Sequence, residues 1–158
     1  MRLTRTLAFA TLFLSMAALL AACGGRERKR INPPSASLQE LVAQANGQWQ
    51  LKLRLQNFSS VPITFDNIDG NLTIGGQSAG SFSSAPAISI GPETSDIVVL
   101  TMKPSLEAKT TVATALAVGQ SLPYRIEGRI RSHDPNRDDQ FKFESALSPA
   151  PGLPGVMR

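Results

Sequence analysis

Ser132, His133 and Asp134 stand side by side and supply the three residue types of a hydrolase triad. Consecutive residues cannot present nucleophile, base and orienting carboxylate to one another unless the fold brings them together, because a triad is defined by geometry and not by adjacency. His133 is the only histidine and lies in a stretch rich in Pro and Asp, so it reads as a turn residue. Overlapping it, Asp134, Asn136 and Asp138 begin like a calcium loop, in which oxygen donors recur at alternate positions. The pattern then breaks. Its sixth position is Asp139, where Gly permits the sharp turn, and its twelfth is Ser145, where a Glu would close the coordination shell with two oxygens. Ser132 to Gln140 therefore reads as a solvated hairpin loop, with a weak cation site involving Asp139 as the alternative. Gly75-Gly76-Gln77-Ser78-Ala79-Gly80 lacks the Gly-Lys-Ser/Thr of a phosphate cradle and reads as a hairpin turn. With no catalytic set, cofactor motif or complete set of metal ligands, the expected class is non-enzymatic.

Cys23 is the one cysteine, and its setting gives it a different chemistry. Arg2 and Arg5, an apolar run from Leu7 to Leu20, and small residues up to Ala22 form the three zones of a secretory signal, too short to span a bilayer comfortably. Leu20-Ala21-Ala22-Cys23 resembles the bacterial lipobox, which implies cleavage before Cys23 and acylation of its sulfur and new α-amine. Two or three acyl chains, at roughly 0.8 kcal/mol per buried CH₂, make an almost permanent anchor. Gly24, in place of Asp, as the second mature residue implies sorting to the outer membrane of a two-membrane bacterium. Acylation also leaves no thiol for a disulfide, so burial alone must hold the fold.

The net charge of +4 and sequence pI near 9.7 suggest an acidic partner until the charges are located. Loss of Arg2 and Arg5 with the signal leaves +2. Since Arg26-Glu27-Arg28-Lys29-Arg30 holds a net +3, the remaining chain carries about −1. A nucleic-acid-binding domain would carry its charge on the fold, so that class is excluded. A basic cluster beside a lipid anchor instead suits an anionic bilayer surface, or serves as a solvated spacer.

These residues need elements to position them, and the hydrophobic pattern supplies mostly strands. Trp49, Leu51, Leu53 and Leu55 alternate with Gln48, Gln50, Lys52, Arg54 and Gln56, a half-buried strand. Asn57-Phe58-Ser59-Ser60 is turn chemistry, and Ile63 and Phe65 resume the alternation after Pro62. Asn57-Phe58-Ser59 and Asn71-Leu72-Thr73 match the glycosylation pattern, but the lipobox argues for bacterial export and both Asn residues read as turn residues. Asp69-Gly70-Asn71 and Gly75-Gly76 bracket Leu72 to Ile74 and predict tight turns. The continuous run Ile97 to Met102 predicts a central strand covered on both faces. Tyr124, Ile126 and Ile130 alternate with Arg125, Glu127, Arg129 and Arg131, and Phe141 and Phe143 with Lys142 and Glu144. The expected core is Trp49, Leu51, Leu53, Leu55, Ile63, Phe65, Val99, Tyr124, Ile126, Phe141 and Phe143, with Lys52, Arg54, Arg125 and Lys142 exposed.

Between Pro104 and Gly119 one helix is expected, with Ser105 as N-cap, Gly119 at its end, and Leu106, Ala113 and Leu116 on one face. The predicted organisation is a signal peptide at 1–22, an acylated Cys23 with a flexible basic tether to 35, an antiparallel β-sandwich at 36–147 and a Pro- and Gly-rich disordered tail at 148–158.

With the strands placed, Trp49 to Gly76 resembles the type 2 late embryogenesis abundant family (LEA14-like, the water stress and hypersensitive response domain). Leu51, Leu53 and Leu55 run into Asn57-Phe58-Ser59, followed by Pro62-Ile63 and then Leu72-Thr73-Ile74-Gly75. Gly91-Pro92-Glu93-Thr94-Ser95 before Ile97 to Leu100, and Tyr124-Arg125-Ile126-Glu127-Gly128, resemble the family's later turn and strand. The chain departs from the family at Phe58 and Ser59, where Pro and Asn are usual. The resemblance implies an immunoglobulin/fibronectin III-like sandwich with one short helix and a role in desiccation, osmotic or other stress, and it brings no catalytic residues. The expected protein is a lipid-anchored envelope protein that binds or protects protein clients. The alternative is an adaptor of a secretion or envelope complex. The expected partners are the bilayer, through Cys23, and envelope proteins.

Overall fold

The computed structural model describes residues 28–158; the expected signal peptide and the lipid-attachment residue Cys23 lie outside them. The elements run β1 (Ser35–Ala43), β2 (Trp49–Gln56), β3 (Ile63–Ile74), β4 (Gln77–Ser84), β5 (Ile88–Ile90), β6 (Ser95–Met102), α1 (Leu106–Val118), β7 (Leu122–Asp134), β8 (Asn136–Leu147) and β9 (Val156–Met157). The first sheet has the order β6-β2-β1-β9. The second has the order β4-β3-β7-β8, with β5 also pairing β3. Every pairing is antiparallel.

One core lies between the sheets. On β2, Trp49, Leu51, Leu53 and Leu55 are buried while Arg54 is exposed and Lys52 half-exposed, so the alternation read from sequence sets the face. Ile63 and Phe65 on β3, Tyr124 and Ile126 on β7 and Phe141 on β8 close the core from the other side, with Arg125 and Lys142 exposed. The Tyr124 hydroxyl crosses the gap and donates to the Leu38 carbonyl of β1 at 2.9 Å, a direct tie between the sheets.

Several expectations are corrected. The Ile97 to Met102 run is an edge strand: β6 pairs β2 alone, and Val98, Leu100 and Met102 face the core. Val99 is therefore 51% exposed and Ile97 38% exposed. Phe143 has the same parity as buried Phe141, but β8 is also an edge, so its ring is left 38% exposed and tilted against Tyr124. Asp69-Gly70-Asn71 is no turn but the middle of β3. Gly70 pairs Gly128, where an added Cβ would come within 2.0 Å of the Asp69 carbonyl oxygen, so the glycines permit close strand approach. The turn after β3 is at Gly75-Gly76, both with positive φ.

In α1, Ser105 caps the N-terminus by accepting from Ala108 N at 3.1 Å, and Gly119 ends the helix in the left-handed conformation. The buried face is Ala108, Val112 and Ala115; Leu106 and Ala113 are exposed and Leu116 lies partly buried at the margin. The tail expected to be disordered instead folds back. Gly152 and Gly155 take positive φ, Ser148 and Arg158 exchange backbone hydrogen bonds of 2.6 and 2.8 Å, and β9 pairs β1 with Met157 fully buried. Its prolines lie outside β9, where no ladder donor is required. The sandwich also begins earlier than expected, with β1 at Ser35. Residues 30–32, expected to be part of a flexible tether, are hydrogen-bonded to the turn after β2.

Candidate functional site

The β7–β8 hairpin carries the residues whose types suggested chemistry, and it holds them apart. β7 reaches Asp134 and β8 starts at Asn136, so the expected long loop is a two-strand ladder with a tight turn at Pro135. Ser132 is buried and donates its hydroxyl to the Pro135 carbonyl at 2.7 Å. His133, on the opposite face, turns away to β3, with Nδ1 2.6 Å from Asp66 Oδ1. Ser132, His133 and Asp134 thus form no relay. The acidic residues are separated by the same alternation: Asp138 lies 3.4 Å from Arg129, and Arg137 Nε donates to Asp139 at 2.7 Å. Among the described residues no three His, Cys, Asp or Glu side chains are grouped to hold a metal.

The basic row on β7 is neutralised strand by strand. Arg125 pairs Glu144 at 2.7 Å, Arg131 pairs Asp69 at 2.7 Å, and Lys142 also reaches Glu144 at 3.2 Å. Hydrogen bonds from Lys142, then from Arg125, hold the Glu144 carboxyl below its ordinary value. These pairs are exposed, so the face is a mixed, solvated one with little energetic weight.

Three features were not legible as sites in the sequence. Asn57 is fully buried in the turn after β2. Its amide nitrogen donates to the carbonyls of Val61 (2.8 Å), Ile90 (3.1 Å) and Gly91 (2.9 Å), and its side-chain oxygen accepts from Ser59 N at 2.8 Å. A turn residue in sequence is thus the knot of one end of the sandwich. Glu40, next to a register shift in β1, is buried between Lys52 (2.8 Å) and Arg158 (2.7 Å). Hydrogen bonds from Lys52, then Arg158, lower its pKa against the opposing effect of burial.

The third feature is the free side of β6. An edge strand presents a row of backbone N–H and C=O groups that a further strand can pair with. Here Ile97, Val99 and Thr101 stand on the outer face of that edge, with Arg54, Lys52 and Gln50 of β2 as their respective cross-strand neighbours. Apart from Asp96, the strand carries no charge.

Comparison with known proteins identifies the lineage. A family model described as late embryogenesis abundant protein (LEA_2) matches residues 52–138, more than half of the chain. The chain belongs to this family. Its fold is similar to that of AT1g01470 from Arabidopsis thaliana, with 13% identity, coverage of 81% of this chain and 90% of that one, and a TM-score of 0.56. At2g46140.1, assigned to the late embryogenesis abundant proteins, gives 11% identity over 96% and 86% of the two chains with a TM-score of 0.49. A protein from Archaeoglobus fulgidus gives 12% identity over 77% and 98%, with a TM-score of 0.41. No curated protein matches. The matched region spans β2 to the β7–β8 hairpin and so includes both the Asn57 knot and the β6 edge.

Proposed function

We propose that this LEA-type protein is a non-enzymatic, lipid-anchored envelope protein that holds partly unfolded protein clients during drying or osmotic stress. The observation that carries the reading is the β6 edge: Ile97 and Val99 are exposed on a strand that pairs β2 alone. Strand addition gives affinity through main-chain hydrogen bonds that any sequence can make, which suits a protector of varied clients. The flanking cations Lys52 and Arg54 keep the surface soluble and discourage self-pairing. Anchoring through Cys23 would concentrate this edge at the membrane, and Gly24 favours the outer one. Purified acylated protein in vesicles, dried together with a labile reporter enzyme, tests the reading. Wild type should suppress reporter aggregation on rehydration, Ile97→Lys with Val99→Lys should lose most of that effect, and His133→Ala should keep it. Equal protection by wild type and the double lysine variant would remove the β6 edge from the mechanism.

A further inference from the structure

The N-terminal segment is fastened to one corner of the domain. Arg30 N donates to Ser60 Oγ at 2.8 Å, and Ser60 N donates back to the Arg30 carbonyl at 2.9 Å. Asn32 N donates to Ser59 Oγ at 2.9 Å, and its side-chain amide to the Phe58 carbonyl at 2.7 Å. The turn that receives these bonds is itself fixed by buried Asn57. Because Asn57 and Ser59 both point inward, Phe58 between them is turned out, 48% exposed. Beside it Arg28, Lys29 and Arg30 line a shallow cleft of about 530 Å³ with Ser60, Val61, Pro92 and Glu93. Three cations face that cleft against the one carboxylate of Glu93, which Arg30 engages at 3.0 Å.

Arg28 lies five positions beyond Cys23, a reach of at most about 18 Å for extended chain. An acyl anchor at Cys23 therefore keeps this end of the domain close to the lipid surface. Basic side chains favour an anionic leaflet, and an exposed aromatic ring suits the headgroup region. We propose that Phe58 and the Arg28-Lys29-Arg30 cluster dock on an anionic bilayer, with the ring in the headgroup layer and the cations on lipid phosphates. The β7–β8 tip at Asp134 lies at the same end but on the second sheet, whereas the basic, aromatic corner is built on the turn after β2 and the turn that leads into β6. Docking there leaves the β6 edge running away from the membrane, open to clients. This inference rests on the anchoring proposed above.

The test uses the full mature chain, in which acylation of Cys23 makes an introduced cysteine the one free thiol. Phe58→Cys and Leu153→Cys each receive an environment-sensitive fluorophore in vesicles of phosphatidylcholine with and without phosphatidylglycerol. Leu153 is also exposed but lies in the tail, at the opposite end. The label at position 58 should shift to the blue and be quenched several-fold more by brominated lipid than the label at 153. Replacing Arg28, Lys29 and Arg30 with Gln should reduce that difference in the anionic vesicles. Equal quenching at the two positions would overturn the docking. Intact mass of the same preparation separates the two ideas: an acylated Cys23 with position 58 in water sinks the docking alone, whereas absence of acyl mass sinks the anchor and the docking with it.

Discussion

At the end of the sandwich that receives residues 28–34, the closing groups are Asn57 and Ser59, polar side chains with no exposure. At the other end they are Ala108, Val112 and Ala115 of α1 and Met157 of β9. Polar closure is directional: each hydrogen bond fixes one geometry, and losing one strands a buried partner at a cost near 1–3 kcal/mol. Apolar closure is graded by area and tolerates small shifts. The polar end fixes Arg30 and Asn32 in place, whereas the apolar end simply seals the core.

The strongest perturbation lies midway and should not distinguish the ends. Leu53→Ala is expected to cost about 2–5 kcal/mol, as large-to-small core changes do, and to lower hydrogen-exchange protection at both ends together. Lys52→Ala should cost far less in the same denaturant titration, and equal effects would refute the facing of β2. Asn57→Ala should cost about 3 kcal/mol, since three carbonyls and the Ser59 amide lose their partner. It should also free the Arg30 and Asn32 amides to exchange while α1 stays protected. Loss of protection in α1 as well would show that the ends are coupled.

Val112→Ala, at the apolar end, should cost about 1.5 kcal/mol from lost buried area, with Arg30 and Asn32 unaffected. The smallest effect concerns neither end. Because the Glu40 carboxyl titrates below its ordinary value in the folded state, its contribution is present above the unfolded-state pKa and is lost as pH falls through the folded one. Glu40→Gln should therefore be less stable than wild type at neutral pH, with the difference vanishing in acid; a difference that persisted below the folded pKa would assign the loss to packing.

How far the fold could be read depended on whether a residue's pattern carried a period. Leu51, Leu53 and Leu55 alternate with polar neighbours, so their face was legible. Ile97 to Leu100 has no polar alternation, so nothing in the run said that Val98 and not Val99 turns inward, or that the strand lies at an edge. Gly70 looked like a turn signal, because its close contact with Gly128 is set by pairing across more than fifty residues. The tail misled by composition: its glycines and prolines make turns, and the residue that matters, Met157, is one apolar side chain reaching the core. Of the candidate site, the hairpin's lack of a relay was anticipated from adjacency, but the β6 edge and the Asn57 knot arise from tertiary pairing that no local spacing reveals.

The central claim, a protective role that needs the anchor and no catalytic centre, is tested most directly by survival after drying of a strain lacking this protein and complemented with single variants. Wild type and His133→Ala should restore survival, and Cys23→Ser, released from the membrane, should restore much less at equal abundance. Full rescue by Cys23→Ser, or loss of rescue by a folded and abundant His133→Ala protein, would contradict the account.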